Sequence, residues 1–585
     1  MSKQLIPLYT QLQGMAQNLP SHMLGPTRWW TQLGMRTSEG GLQSLPAKQL
    51  GEELPLGAQQ VLTLQASQGS PYVQIYCVTP TEVYDISPFQ TNTKLPFYDS
   101  TGEFNGTSPL ALSPERISAT VYENKIFFTQ LGLLGGVWKI SPRGVAICGE
   151  PALSNPLSAA AKVANPSGRY IAHFFDHLFV ANVSLNGATA PYRVQWSNLR
   201  SFGDWKATRR NEADQYDFLA GDRERFFGIT GMHVVNETLF ILTSATVNVL
   251  RYVGLPRVVR VYEGVAKVGN DFPFGSIEIH GTVWFLSERA TSFFVFNGQQ
   301  AAPRGREIVQ SLLQDLTLDP RYRYALRAYH DEREGEIVWA YCGRGLAWGS
   351  DSAPNPTKLN SEIVHNYRTG TWYFRPATQA NFIDYFPCGG VFSPKPISAL
   401  SAQIQGLNQS IEDLSYDETA LQRPFWIGQW TSPQNVTYPF EIYNDGEARS
   451  GVAPTGQLDP YTSSLAERKV LETGDIHFDA PALVKEVESM VLDCRFNPAE
   501  AFLRIEVAAR KGLSDPLLWK SFDVLVSPTD LPEQRVSLPR CSGRFFRFRF
   551  TLVKKPNVKQ ISTWVWKGFA PYVYGLPQNT NSPEK

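Results

Sequence analysis

The stretch "VWKISPRG", Val137 to Gly144, has a near copy upstream in "VYDISP", Val83 to Pro88. In an extended segment Val137 and Lys139 point to one face, Trp138 and Ile140 to the other. Pro142 has no amide hydrogen with which to continue a central ladder, and Gly144 tolerates positive φ in a turn. The segment reads as a strand with its own stop, written twice.

Each copy follows a second apolar run, "YVQIYCV" from Tyr72 and "KIFFTQL" from Lys125, so each pair reads as a hairpin. The same pairing recurs from His177, Thr238, Thr282 and Glu336. Successive starts are 53, 52, 61, 44 and 54 residues apart, around the period of roughly 50 residues of kelch-type propeller blades. The alternative is a long β-protein whose hairpins happen to be evenly spaced. The expected fold is all-β: a β-propeller of six to eight blades over residues 61–430, with a C-terminal β-sandwich over 461–575. Residues 1–60 read as an extended N-terminal arm, 431–460 as a linker or last-blade strands, and 576–585 as a flexible tail.

In the arm, Trp29 and Trp30 are costly to leave in water and favour docking. Within the propeller, "REIVQSLLQDL" places Ile308, Leu312 and Leu316 on one helical face, as a helix capping the sheets. The alternating runs "VKEVESMVLDCRF", "AFLRIEVAAR" and "RFFRFRFTLV" give the sandwich pattern, expected to fold as a unit of its own. Trp138, Trp196 and Trp205 stand at strand ends beside turns. With Trp284 and Trp372 they are assigned as structural blade aromatics.

Lys+Arg and Asp+Glu both number 54, so no global field would hold a polyanion or an anionic membrane. Cys77, Cys148, Cys342, Cys388, Cys494 and Cys541 show no metal-ligand spacing and are expected to stay reduced. The N-terminus lacks the apolar core of a secretory signal, and the chain is expected to be made in the cytoplasm.

No nucleotide cradle, metalloprotease helix or nucleophile elbow is present. No cofactor, metal site or enzyme activity is expected. His173 and His177 stand at i, i+4, but in a strand–turn–strand context. Asp204, Asp214, Asp217 and Asp222 are interleaved with Arg209, Arg210, Arg223 and Arg225, which suggests a loop laced by surface ion pairs rather than a glycosidase pair. The strand "RCSGRFFRFRF" carries Arg540, Arg544, Arg547 and Arg549. Arg547 and Arg549 share one face, opposite Phe546, Phe548 and Phe550, which makes a candidate channel-facing or partner-facing basic strand.

The segment "HLFVANVSLNGATAPYRVQWSNLRSFGDW", with Trp196-Ser197-Asn198 and Asp204-Trp205, resembles the propeller part of tailed-bacteriophage virion proteins. "FFGITGMHVVNETLFILTSATVNVLRYVG", "GSIEIHGTVWFLSERATSFFVFNG" and "HNYRTGTWYF" are similar to its later units. "GRFFRFRFTLVKKPNVKQISTWVWKG" is similar to the ending of the tail nozzle, or hub, proteins of short-tailed phages. The inserts at 88–120 and 344–360 depart from that pattern. The resemblance implies a virion tail protein: a hexameric ring beneath the head-to-tail adaptor that extends the DNA-ejection channel and holds tail fibres or tailspikes. DNA would pass without specific binding and without membrane insertion. A propeller-type glycan-binding module and a propeller glycoside hydrolase are the competing classes.

Overall fold

The computed structural model describes residues 4–5, 8–9, 28–33, 35–38, 41–44, 48–65, 73–87, 92–99, 102–104, 110–141, 144–148, 165–219, 228–255, 257–316, 326–343, 359, 361–376, 381–388, 423–431, 437–445, 469–478, 482–525, 534–555 and 564–575. Asp222, Arg223, Arg225 and the 576–585 tail lie outside this description, as do 149–164 and most of the 344–360 insert.

The doubled strand is the third strand of two successive blades. Val83–Asp85 belongs to the sheet Gln60–Gln65, Val73–Val78, Val83–Asp85, Thr93–Lys94, and Trp138–Ser141 to the next sheet, Ser118–Tyr122, Lys125–Thr129, Trp138–Ser141, Gly144–Ile147. All six hairpins read from the sequence are the second and third strands of their blades. Phe97–Asp99 widens the second blade by pairing in parallel with the fourth strand at Val145, and Gly102–Phe104 pairs outside it. That approach demands glycine at the strand start. Gly144 has φ +138°, and a Cβ there would lie 2.3 Å from the Pro96 carbonyl oxygen.

Blades three to six follow with first strands Ser167–Phe174, Ile229–Val235, Ile277–Ile279 and Arg327–Asp331. The seventh comprises Asn381–Cys388, Arg423–Thr431 and Thr437–Asp445, so the segment left open at 431–460 contains a blade strand. Its fourth strand is Lys48–Glu53, which pairs antiparallel with Thr437–Asp445. From the second blade on, first strands of successive blades are neighbours; Gln60–Gln65 meets Lys125–Thr129 of the second blade and Asn381–Cys388 of the seventh, closing the ring.

The sheets of blades one to six bury apolar residues on both faces, because neighbouring blades cover both. Trp138 and Ile140 pack toward the first blade with Leu62, Tyr76 and Val83, while Val137 packs toward the third with Leu178 and Val180. The helix Arg306–Asp315 fills the space between blades five and six, where Ile308, Val309 and Leu312 meet Trp284, Phe293, Trp339 and Trp372.

The C-terminal sandwich does not stand alone. One of its sheets includes Lys485–Arg495, Gln534–Gly543 and Val565–Gly575, together with Met35–Ser38 and Gly41–Ser44 from the N-terminus. The other contains Lys469–Thr473, Phe545–Lys554, Ala501–Arg510 and Trp519–Val524. It continues through Trp29–Leu33 into Thr371–Pro376 of the sixth blade as one nine-stranded sheet. Trp29, Met35 and Leu42 are buried among Trp566, Phe550 and Leu471. The expectation of a separate unit is therefore corrected. The sandwich lacks a complete core without these N-terminal strands, and its Arg36 pairs with Glu334 of the sixth blade at 2.6 Å.

Candidate functional site: two basic surfaces

Phe545–Lys554 alternates as its sequence requires: Phe546, Phe548 and Phe550 are buried in the sandwich core, and Arg547 and Arg549 lie on the opposite face. That face is not a free cationic stripe, and the assignment of Arg547 and Arg549 to channel or partner contact is corrected. Arg547 is 8% exposed. Its guanidinium lies 3.2 Å from Glu472 and 2.8 Å from Asp475, with the Trp30 ring 5.5 Å away. Arg549 pairs with Glu472 at 2.9 Å and Glu506 at 3.4 Å, and lies over Trp519. Arg510 joins through Asp475 at 2.6 Å. Three guanidiniums thus face three carboxylates, because cations confined to a half-buried sheet face need charge partners. Arg540 is 77% exposed, with Glu486 and Glu488 at 3.7 and 3.8 Å. Arg544 is exposed.

The second basic surface is the outer hairpin of the fourth blade, Val247–Tyr252 and Val259–Ala266, which was not singled out in the sequence. Residues 247–267 carry Arg251, Arg257, Arg260 and Lys267 against one carboxylate, Glu263. Val259–Ala266 is the outermost strand of its blade. All four cations are exposed and, among the described residues, none has a carboxylate partner. Glu263 is engaged by the Tyr216 hydroxyl, which donates to it at 2.5 Å. Arg251 and Arg260 are directly opposed in the ladder, and both guanidiniums lie over the Tyr262 ring, at 5.6 and 5.2 Å. The legible signal was local charge density, four cations in a segment of a neutral chain.

The nominated tryptophans are buried between blades. The Trp138 Nε1 donates to the Leu134 carbonyl at 2.8 Å, that of Trp196 to Glu212 at 2.8 Å and that of Trp205 to Phe202 at 2.9 Å. Trp372 stacks on His365 and Phe293, and Trp284 lies against His365.

The other nominated residues do not converge. His173 lies under the Tyr122 ring, whereas His177 is fully buried, its Nδ1 donating to the Ser197 carbonyl at 2.7 Å and its Nε2 3.2 Å from Glu212. Asp217 is held by both ends of the Arg193 fork, and Asp204 accepts from Asn198 and Asn211. Asp214 is exposed and accepts from the Gln215 amide. Arg209 and Arg210 are exposed and form no ion pair among the described residues; the Asn198 and Asn211 side chains hold the loop around them, and Asp217 of the same segment is in an ion pair with Arg193. No group of three or more metal-ligating side chains occurs among the described residues.

Near the propeller axis Phe274, which precedes the first strand of blade five, contacts Tyr170 of the third blade. It also lies beneath Arg116, just before the second blade, and Arg327 of the sixth. Residues from four parts of the ring therefore meet around one side chain.

No protein-family model matches the sequence, and no curated protein matches it. Among solved structures, the chain is similar to Hsv2 of Kluyvelomyces marxianus at 8% identity and a TM-score of 0.26, over 46% of this chain and 68% of that one. It is similar to a Lactobacillus plantarum protein at 8% identity and a TM-score of 0.29, over 65% and 94%. A third is apo AztD of Citrobacter koseri, at 8% identity and a TM-score of 0.24, over 58% and 84%.

Proposed function

We propose that this chain is a structural component of a bacteriophage tail. Six copies form a nozzle, or hub, ring beneath the head-to-tail adaptor, extending the DNA-ejection channel and holding tail fibres or tailspikes. The sequence resemblance over residues 175–375 and 540–568 supports the reading. The structural observation that carries it is the nine-stranded sheet running from the sixth blade through Trp29–Leu33 into the sandwich. The N-terminal segment also completes the seventh blade and the sandwich core. Propeller and sandwich are thereby joined into one body, as suits a part that must transmit load between an adaptor and fibres. In this reading DNA follows the axis of the ring of subunits, since Phe274 and its neighbours gather near the axis of each propeller.

Electron microscopy of the purified protein and of virions tests this. Six-fold rings at the tail tip are expected, and virions lacking the protein should fail to retain or deliver their genome. A protein that stays monomeric and is missing from the tail would overturn the reading. The Phe175 ring, 39% exposed and stacked on Tyr252 at 4.5 Å, favours a glycan-binding module as the second reading. Selective glycan capture lost on Phe175→Ala would decide for it.

A further inference from the structure

We infer that the outer hairpin of the fourth blade, through Arg251, Arg257, Arg260 and Lys267, is a sequence-independent binding surface for the phosphodiester backbone of DNA. The first ground is energetic. Directly opposed residues of an antiparallel pair have Cα atoms about 4.5 to 5.5 Å apart. Like charges in that position destabilise the sheet. Arg251 and Arg260 occupy such a pair, and no carboxylate among the described residues relieves them. A phosphate between the two guanidiniums would turn that repulsion into two charge-assisted contacts.

The second ground is arrangement. The four cations do not converge on a pocket. They are strung along the outer hairpin, Arg251 on its third strand, Arg257 in the turn, Arg260 on the outermost strand and Lys267 just past its end, all exposed. A row of this kind fits a linear, repeating anion. Three of the four are arginines, whose planar fork takes phosphate oxygens in pairs. Tyr262 lies against both Arg251 and Arg260, which limits their freedom and lowers the entropy lost on binding. The third ground is contrast within the molecule, since Arg547 and Arg549 have protein carboxylates at 2.8 to 3.4 Å.

Backbone binding of this kind releases counterions, so log K against log salt should fall with a slope of about −3 to −4 for four contacts. The test is fluorescence anisotropy of the full chain with a short random-sequence DNA duplex across a salt series. The double variant Arg251→Gln, Arg260→Gln is expected to reduce the slope magnitude by about 2, equally for unrelated duplex sequences. Arg540→Gln with Arg544→Gln should leave it unchanged. The substituted side chains are exposed, and circular dichroism of the variants verifies the fold. An unchanged slope in the Arg251/Arg260 variant overturns the inference, as does an equal loss in the Arg540/Arg544 variant. Stronger binding of polyglutamate than of the duplex at the same salt would also overturn it, in favour of a carboxylate-rich protein partner. The inference does not depend on the tail assignment: rings that bind no DNA would refute it alone, and a DNA-binding chain that forms no ring would refute only the other.

Discussion

The strand Phe545–Lys554 and the hairpin Val247–Ala266 look alike as sequences, each with arginines alternating among apolar and aromatic residues. In the fold they are opposites. Arg547 is enclosed between Glu472 and Asp475, whereas Arg251 and Arg260 face each other in solvent. A run of cations therefore reports little about available charge until its counter-charges are located, and for Arg547 these are more than 70 residues away in the chain. Buried cations here serve cohesion, and exposed ones remain available to a ligand.

The contrast can be broken most directly at its buried end. Arg547→Ala should cost on the order of 3 kcal/mol, because it removes the enclosed cation shared by Glu472 and Asp475 and leaves them to Arg549 and Arg510. Arg251→Ala should stay within about 0.5 kcal/mol, as expected of a surface substitution. Urea unfolding of the two variants measures the difference, and equal effects would abolish the distinction.

The same division extends to protons. Burial pushes the His365 imidazole, stacked on Trp372, down to a pKa of about 4, against about 6.5 in an unfolded chain. As pH falls through that interval the unfolded state takes up the proton first. Stability present above about pH 6.5 is therefore lost toward pH 4, by about 1.4 kcal/mol for each pH unit at this site. Unfolding midpoints across the interval should show the decline, and His365→Phe should flatten it.

An intermediate case lies on the sandwich edge. Arg504 and Asp523 form a two-pronged pair at 2.8 and 3.0 Å, but their side chains are 42% and 37% exposed. A double-mutant cycle should return a coupling of about 0.2 to 1 kcal/mol that shrinks in high salt. A coupling as large as that of Arg547 would show that enclosure is not what separates the two surfaces.

The smallest effect sharpens the comparison from the exposed end. Arg260→Glu places an opposite charge across from Arg251 and should raise stability by about 0.2 to 1 kcal/mol while weakening DNA binding. A loss of stability in thermal unfolding would mean that the opposed arginines are not in conflict.

Read alone, the chain determined its six hairpins, the two-faced packing of Val137 and Trp138, and the helix from Arg306. Each follows from periodicity and turn chemistry within a few residues, which act before any distant contact forms. It also marked the tryptophans, since a large ring beside a blade turn has few places to go except between sheets. Only the tertiary structure decided that Lys48–Glu53 closes the seventh blade, that Trp29, Met35 and Leu42 complete the sandwich core, and which arginines stay free of carboxylates. Those outcomes rest on strand edges and charge partners supplied from far along the chain. Local pattern states that an edge or a charge exists, and the fold alone settles what lies opposite it.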